Sequence, residues 1–142
     1  MLRSLALVFL VAFAASEACK CVPNTYQYYY CHYPVVMRAK IGTKLPVSSY
    51  RVGYNIEIKA TFKNDTTGAV PNRVFTAKDS ATCGVNFQQG QEYLIFASFN
   101  DRLGYTTHSC TNTKLWSAVP RDVVQKLESG QMASTPCPTS AP

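Results

Sequence analysis

Hydrophobic and polar residues alternate most cleanly over residues 51–62. Val52, Tyr54, Ile56, Ile58, Ala60 and Phe62 fall on one face, and Arg51, Asn55, Glu57, Lys59 and Thr61 on the other. A period of two is that of a strand with one buried face. Residues 35–41 predict a second strand, joined to the first through 42–49, a stretch punctuated by Gly, Pro and Ser. Residues 73–77, 92–99 and 105–109 predict three more, with turns at 64–71, 88–91 and 100–104. Five short strands at this spacing predict a small barrel or sandwich, with a helix near each end. Towards the C-terminus the period lengthens. Val119, Val123 and Leu127 recur every four residues, Pro120 suits a first helical turn and Gly130 a stop, so this helix packs its apolar stripe on the barrel. From residue 131 the chain is rich in Ser, Thr and Pro and is expected to be loose except where Cys137 is tied down. There is no internal repeat.

Residues 1–18 follow another rule. Arg3 gives a positive start, an uncharged apolar run follows, and Ser16 and Ala18 place small residues before Cys19, which is the pattern of a secretory signal cut before Cys19. The run is shorter than the roughly 20 residues that span a bilayer, so no membrane insertion is expected. At 142 residues, 46% hydrophobic and 15% charged, the chain makes one compact domain. Its charge of +6 draws it towards acidic surfaces.

The six cysteines stand at 19, 21, 31, 83, 110 and 137, with no Cys-x-x-Cys pair of the kind that holds zinc. In an oxidising, extracellular compartment an even count implies three disulfides, which spacing alone leaves with about 15 pairings. The predicted cut makes Cys19 the first residue. Its α-amine and its own carbonyl oxygen could then close a five-membered chelate on one metal ion, the amine having a pKa near ~7.7–8.0 and so a neutral fraction at neutral pH. Bridges at Cys19 and Cys21 would hold that end rigid. The same bridges serve equally well as a purely structural staple.

Several segments in order resemble one family. The opening Cys19-Lys20-Cys21 resembles the Cys-x-Cys start of mature tissue inhibitors of metalloproteinases (TIMPs). Val35-Val36-Met37-Arg38-Ala39-Lys40 and Tyr54-Asn55-Ile56-Glu57-Ile58-Lys59 resemble the family's first two strands. Cys83-Gly84-Val85, Glu92-Tyr93-Leu94-Ile95, Cys110 and the Trp116 segment follow in family order. The resemblance covers residues 19–137, leaving 138–142 as a flexible tail, and implies the netrin-like N-terminal domain, a five-stranded OB-fold barrel with flanking helices. It implies the disulfides Cys19–Cys83, Cys21–Cys110 and Cys31–Cys137, each closing a loop long enough to contribute about 4 kcal/mol at most in a loop-entropy account.

The resemblance also implies a function. In the family the N-terminus enters the protease cleft, so the Cys19 amine and carbonyl would ligate the catalytic zinc of a matrix metalloproteinase-like partner and displace its water. Cys19, Lys20, Cys21, Val22 and Pro23 would lie there as an uncleavable substrate, with Ser80, Ala81, Thr82 and Cys83 as the adjoining ridge. Zinc belongs to the target, and the chain needs no cofactor of its own. Two departures matter. Lys20 stands where the family usually has a small Thr or Ser entering the primary pocket, and a lysine charge in an apolar pocket costs several kcal/mol, on the order of an unpaired buried ion, unless it reaches water or an acid. The chain also lacks the second, six-cysteine domain of vertebrate members and resembles the short nematode ones. The alternative function is a non-inhibitory netrin-like binding module acting on a receptor or matrix partner.

An enzyme is not expected. His32 and His108 are the only histidines, with no His-Glu-x-x-His or Gly-x-Ser-x-Gly, and both read as surface or packing residues. Tyr26, Tyr28, Tyr29, Tyr30 and Tyr33 could stack bases in an OB fold, but secretion argues against nucleic acid, and they align with the family's short first helix. Lys40, Lys44, Lys59, Lys63 and Arg73 are a candidate patch for matrix or heparin-like polyanions. Asn64-Asp65-Thr66 is an N-glycosylation sequon in a predicted turn, and Trp116 reads as a core anchor. The chain is expected to be a monomer.

Overall fold

A computed structural model describes residues 19–46 and 48–139. The signal assigned to 1–18 and the last three positions of the tail lie outside the described residues.

The strands β1 (Val35–Lys44) and β4 (Glu92–Asn100) show how the fold is built. Val35, Met37, Ala39 and Ile41 of β1 and Tyr93, Ile95 and Ala97 of β4 enter one core, while Val36, Leu94 and Phe96 enter a second on the opposite face. Strands covered on both faces read as nearly continuous apolar runs, which is what these two segments show. With β2 (Arg51–Asn64), β3 (Arg73–Ala77) and β5 (Gly104–Thr106) the pairing runs β1-β2-β3-β5-β4, and β4 returns to β1 to close a five-stranded barrel. β3 and β5 pair parallel and the other neighbours antiparallel, the arrangement of the expected OB-fold barrel. A two-residue strand, β6 (Lys114–Leu115), adds to β4.

On β2 the single face expected from alternation does not hold to the end. The register slips three times against β1, two of the slips falling beyond Ile58 and leaving Ala60 opposite Arg38 and Lys63 opposite Val36. Directly opposed residues share a face. Ile56 and Ile58 therefore pack inside the barrel, whereas Phe62 packs outside, stacked on Trp116 with ring planes 8° apart. Bulges of this kind bend a strand around a barrel, and a strict period of two does not register them.

The second core is closed by helices. Thr25 caps α1 (Tyr26–His32), its Oγ1 accepting the Tyr28 N–H at 3.1 Å, and α1 buries Tyr29 and Tyr30. α2 (Arg121–Glu128) turns Val123 and Leu127 inward. The looseness expected from residue 131 begins later, because Met132 of α3 (Gln131–Ser134) is buried and its carbonyl accepts from Gln27 Nε2 at 3.0 Å. The fifth strand stops at Thr106 rather than 109, since residues 107–113 turn into a cluster of threonine hydroxyls.

Candidate functional site

Residues 19–25 have no regular secondary structure and run as a strap outside the barrel. Lys20, Cys21, Val22 and Pro23 are exposed and Cys19 is partly buried. Val22 keeps 73% of its surface in water, a large share for an apolar side chain. The strap is fixed covalently by Cys19–Cys83 and Cys21–Cys110, while Cys31–Cys137 ties α1 to the chain beyond α3. The Cys19 and Cys110 sulfurs are 3.5 Å apart, so the two strap bridges lie side by side. Cys19, Cys83 and Cys110 are the one group of metal-ligating side chains gathered among the described residues, and as disulfides they offer no thiolate.

Beside the strap stands a 3₁₀ turn, Ser80–Thr82, with all three side chains exposed. The Thr82 Oγ1 donates to the Asp79 carbonyl at 2.9 Å, and the Cys83 and Gly84 N–H groups donate to Ser80 and Asp79 carbonyls at 3.1 and 3.0 Å. Cys83 closes the turn at φ 68°, and a Cβ on Gly84 would collide with the Ala77 carbonyl, so only glycine lets the turn sit this close to β3. The Val85 N–H donates to Thr76 Oγ1 at 2.9 Å, completing the anchor. The first disulfide thus holds Cys19 against a braced ridge.

Cys110 is carried by a second 3₁₀ turn, Ser109–Thr111, joined to the first by the Ser109 N–H to Cys83 carbonyl bond at 2.8 Å. His108 caps it, Nδ1 accepting from the Cys110 N–H at 3.2 Å, while Nε2 meets the Tyr33 hydroxyl at 3.1 Å. Underneath, Thr107, Thr111 and Thr113 join hydroxyls at 2.7–3.1 Å, and Thr107 Oγ1 donates to the Phe96 carbonyl at 2.7 Å. Burial pushes the His108 pKa below its usual 6.5 and that of Tyr33 above 10.0. Between strap and helix lies a hollow of about 550 Å³ lined by Val22, Asn24, Tyr28, Tyr29, Tyr33 and Cys110, among others. The sequence alone gives His108 as a surface or packing residue and Tyr33 as one of a packing tyrosine stretch, with no role for the threonines. The signal available was three threonines bracketing Cys110 at 107, 111 and 113.

The other predicted residues are dispersed. The Lys63 ammonium donates to the last carbonyls of α1, Tyr30 and Cys31, at 2.7 and 3.2 Å, and Lys59 pairs with Glu57 at 2.8 Å. Lys40 and Lys59 border a hollow of about 300 Å³ beside Trp116, whereas Lys44 borders another beside Lys78 and Ser80. Trp116 is half-buried rather than a core anchor, held between Phe62 and the Arg38 guanidinium, which lies 4.6 Å from its ring centroid and pairs with Glu92 at 2.6 Å. Asn64 is exposed, its Oδ1 accepting the Thr66 N–H at 3.1 Å. His32 stacks on Tyr28 at 3.8 Å. No described helix is long and apolar enough to cross a membrane.

Comparison with known proteins agrees with this arrangement. Residues 17–139 match the family profile "Tissue inhibitor of metalloproteinase". The chain is similar to metalloproteinase inhibitor 4 of Mus musculus, 28% identical over 110 residues that cover 70% of this chain and 49% of the mouse protein. It is similar to the tissue inhibitor of metalloproteinase of Drosophila melanogaster, 28% identical over 66% of this chain and 48% of the fly protein. A Caenorhabditis elegans protein, tag-225, whose name also carries the words metalloproteinase inhibitor, is 31% identical over 65% of this chain and 66% of its own length. The aligned region thus spans about half the length of the mouse and fly relatives. The profile names inhibitors rather than enzymes, and it takes in the strap, the ridge and all six cysteines: the chain belongs to the tissue inhibitor of metalloproteinase family.

Proposed function

We propose that this chain is a secreted inhibitor of zinc metalloproteinases acting through its Cys19 end. Removal of residues 1–18 frees the Cys19 α-amine, whose pKa near ~7.7–8.0 leaves a neutral fraction able to donate to a metal at neutral pH. Amine nitrogen and carbonyl oxygen then chelate the zinc of the protease and take the place of its hydrolytic water. Residues 19–23 follow the cleft as a substrate without a scissile bond in reach, and Ser80, Ala81 and Thr82 meet its rim.

The observation that carries this reading is the exposed strap tied at Cys19 and Cys21 beside a braced turn. A segment already held in place by two disulfides loses little conformational freedom on entering a cleft. Lys20 sets the selectivity: its ammonium suits a pocket that is deep enough to reach water or lined by an acid, and is costly in a dry apolar one.

The test is a titration of the matured, oxidised protein against a panel of zinc metalloproteinases, beside a variant with one alanine added before Cys19. Stoichiometric inhibition by the native form, lost in the extended one, is expected. No inhibition by correctly cut and folded protein would overturn the reading in favour of a netrin-like module that binds a receptor or matrix component.

A further inference from the structure

A closed ring of contacts surrounds the hollow behind the strap. It runs from Cys21 through its disulfide to Cys110, from the Cys110 N–H to His108, from His108 to Tyr33, and back along α1 to Thr25 and the strap itself. Tyr29 reaches across it, its hydroxyl donating to the Val22 carbonyl at 3.4 Å. The link at His108 is the one that can change charge. A backbone N–H can only donate, so Nδ1 accepts from Cys110, and the proton of the neutral ring is on Nε2, facing the Tyr33 oxygen. An imidazolium carries a proton on both nitrogens. Protonation at Nδ1 would set two donors against each other at the cap of the turn that carries Cys110.

We propose that His108 is a positioning residue for the strap, acting through Cys110 and its bridge to Cys21, and that its protonation loosens the strap and weakens inhibition in mildly acidic surroundings. This rests on the inhibitory reading above. The ring remains open enough to solvent for a proton to reach it. From the C-cap of α1 the titratable group facing it is Tyr33, with Tyr28 and Tyr29 of the helix acting on Tyr33 in turn; the Cys21–Cys110 bridge does not titrate. Burial alone accounts for the lowered pKa of His108, with no carboxylate or ammonium contributing. The sign follows: the contribution of the neutral ring is complete above the ordinary 6.5 and is lost as pH falls below it through the folded value.

The experiment compares wild type, His108→Asn and His108→Ala against one zinc metalloproteinase, at about pH 7.5 and about pH 5.5, on either side of the imidazole range. Asparagine can cap the turn by accepting the same N–H but does not titrate. Ratios of inhibition constants between variants at a fixed pH cancel the titration of the protease and of the Cys19 amine. His108→Asn should match wild type at the higher pH and inhibit roughly fivefold to tenfold better than wild type at the lower, the scale of one altered hydrogen bond. His108→Ala should be weaker than His108→Asn by a similar factor at the higher pH. Proton NMR of the wild type alone should show His108 titrating below 6.5. A wild-type to His108→Asn ratio that is the same at both pH values, or a His108 midpoint at or above 6.5, overturns the proposal while leaving inhibition intact. A wild type that does not inhibit at the higher pH overturns both.

Discussion

Inside the barrel, Met37, Ala39, Ile95 and Ala97 are sealed from solvent among one another's side chains, whereas Val22 on the strap keeps most of its surface in water. The barrel is held by burial, which is non-directional and shared among many residues. The strap is held by two covalent ties and a few polar contacts around His108 and the ridge. This division separates two quantities that often move together in small proteins. Substitutions in the barrel should change how much protein is folded, and substitutions around the strap should change how well the folded protein inhibits.

The largest expected effect on stability comes from the barrel side. Ile95→Ala removes a fully buried side chain of β4, opposite Met37 of β1. It should cost about 2–5 kcal/mol in chemical denaturation, as large-to-small core changes do. At temperatures where the variant is folded, its inhibition constant should equal that of wild type. A raised constant in fully folded protein would show that the barrel and strap are not separate.

The disulfides allow a sharper version. Cys21–Cys110 and Cys31–Cys137 enclose sequence separations of 89 and 106, so replacing either pair by serines should lower stability by a similar amount, about 2–4 kcal/mol. Their effects on inhibition should differ. Without Cys21–Cys110 the strap keeps one tie and inhibition should fall more than about tenfold, as ordering costs return to the binding step. Without Cys31–Cys137 the strap is untouched and inhibition should hold. Equal losses of inhibition from the two pairs would break the distinction.

How much of this was legible in the sequence follows the same division. The barrel was readable because burial imposes a period: β3 begins and ends as predicted at Arg73 and Ala77, and α2 was visible from Val119, Val123 and Leu127. The bulges in β2 were not, since a slipped register leaves no trace in alternation, and Phe62 therefore changed sides. The strap stood out through the position of Cys19, but spacing alone left the bridges open, and their pairing came from the family resemblance. The threonine cluster and the His108 cap were hidden, because both depend on which polar atoms meet across turns. A histidine reads the same in sequence whether its Nδ1 caps a turn or faces water.

The smallest predicted effect tests the strap from its other end. Thr25 joins strap to helix, its Oγ1 capping α1 through the Tyr28 N–H. Thr25→Ala should cost about 1 kcal/mol of stability, the usual loss for an N-cap. If the two bridges and the His108 cap set the direction of the strap, a slightly frayed first turn of α1 leaves residues 19–23 where they are, and inhibition should change by less than roughly threefold, under 1 kcal/mol of binding. Thr25 and His108 lie on opposite sides of the same ring, so comparing Thr25→Ala with His108→Ala in one inhibition assay ranks the two anchors directly. A loss from Thr25→Ala as large as that from His108→Ala would mean that the helix, and with it the second core, steers the strap, and the barrel and strap would have to be treated as one mechanical unit.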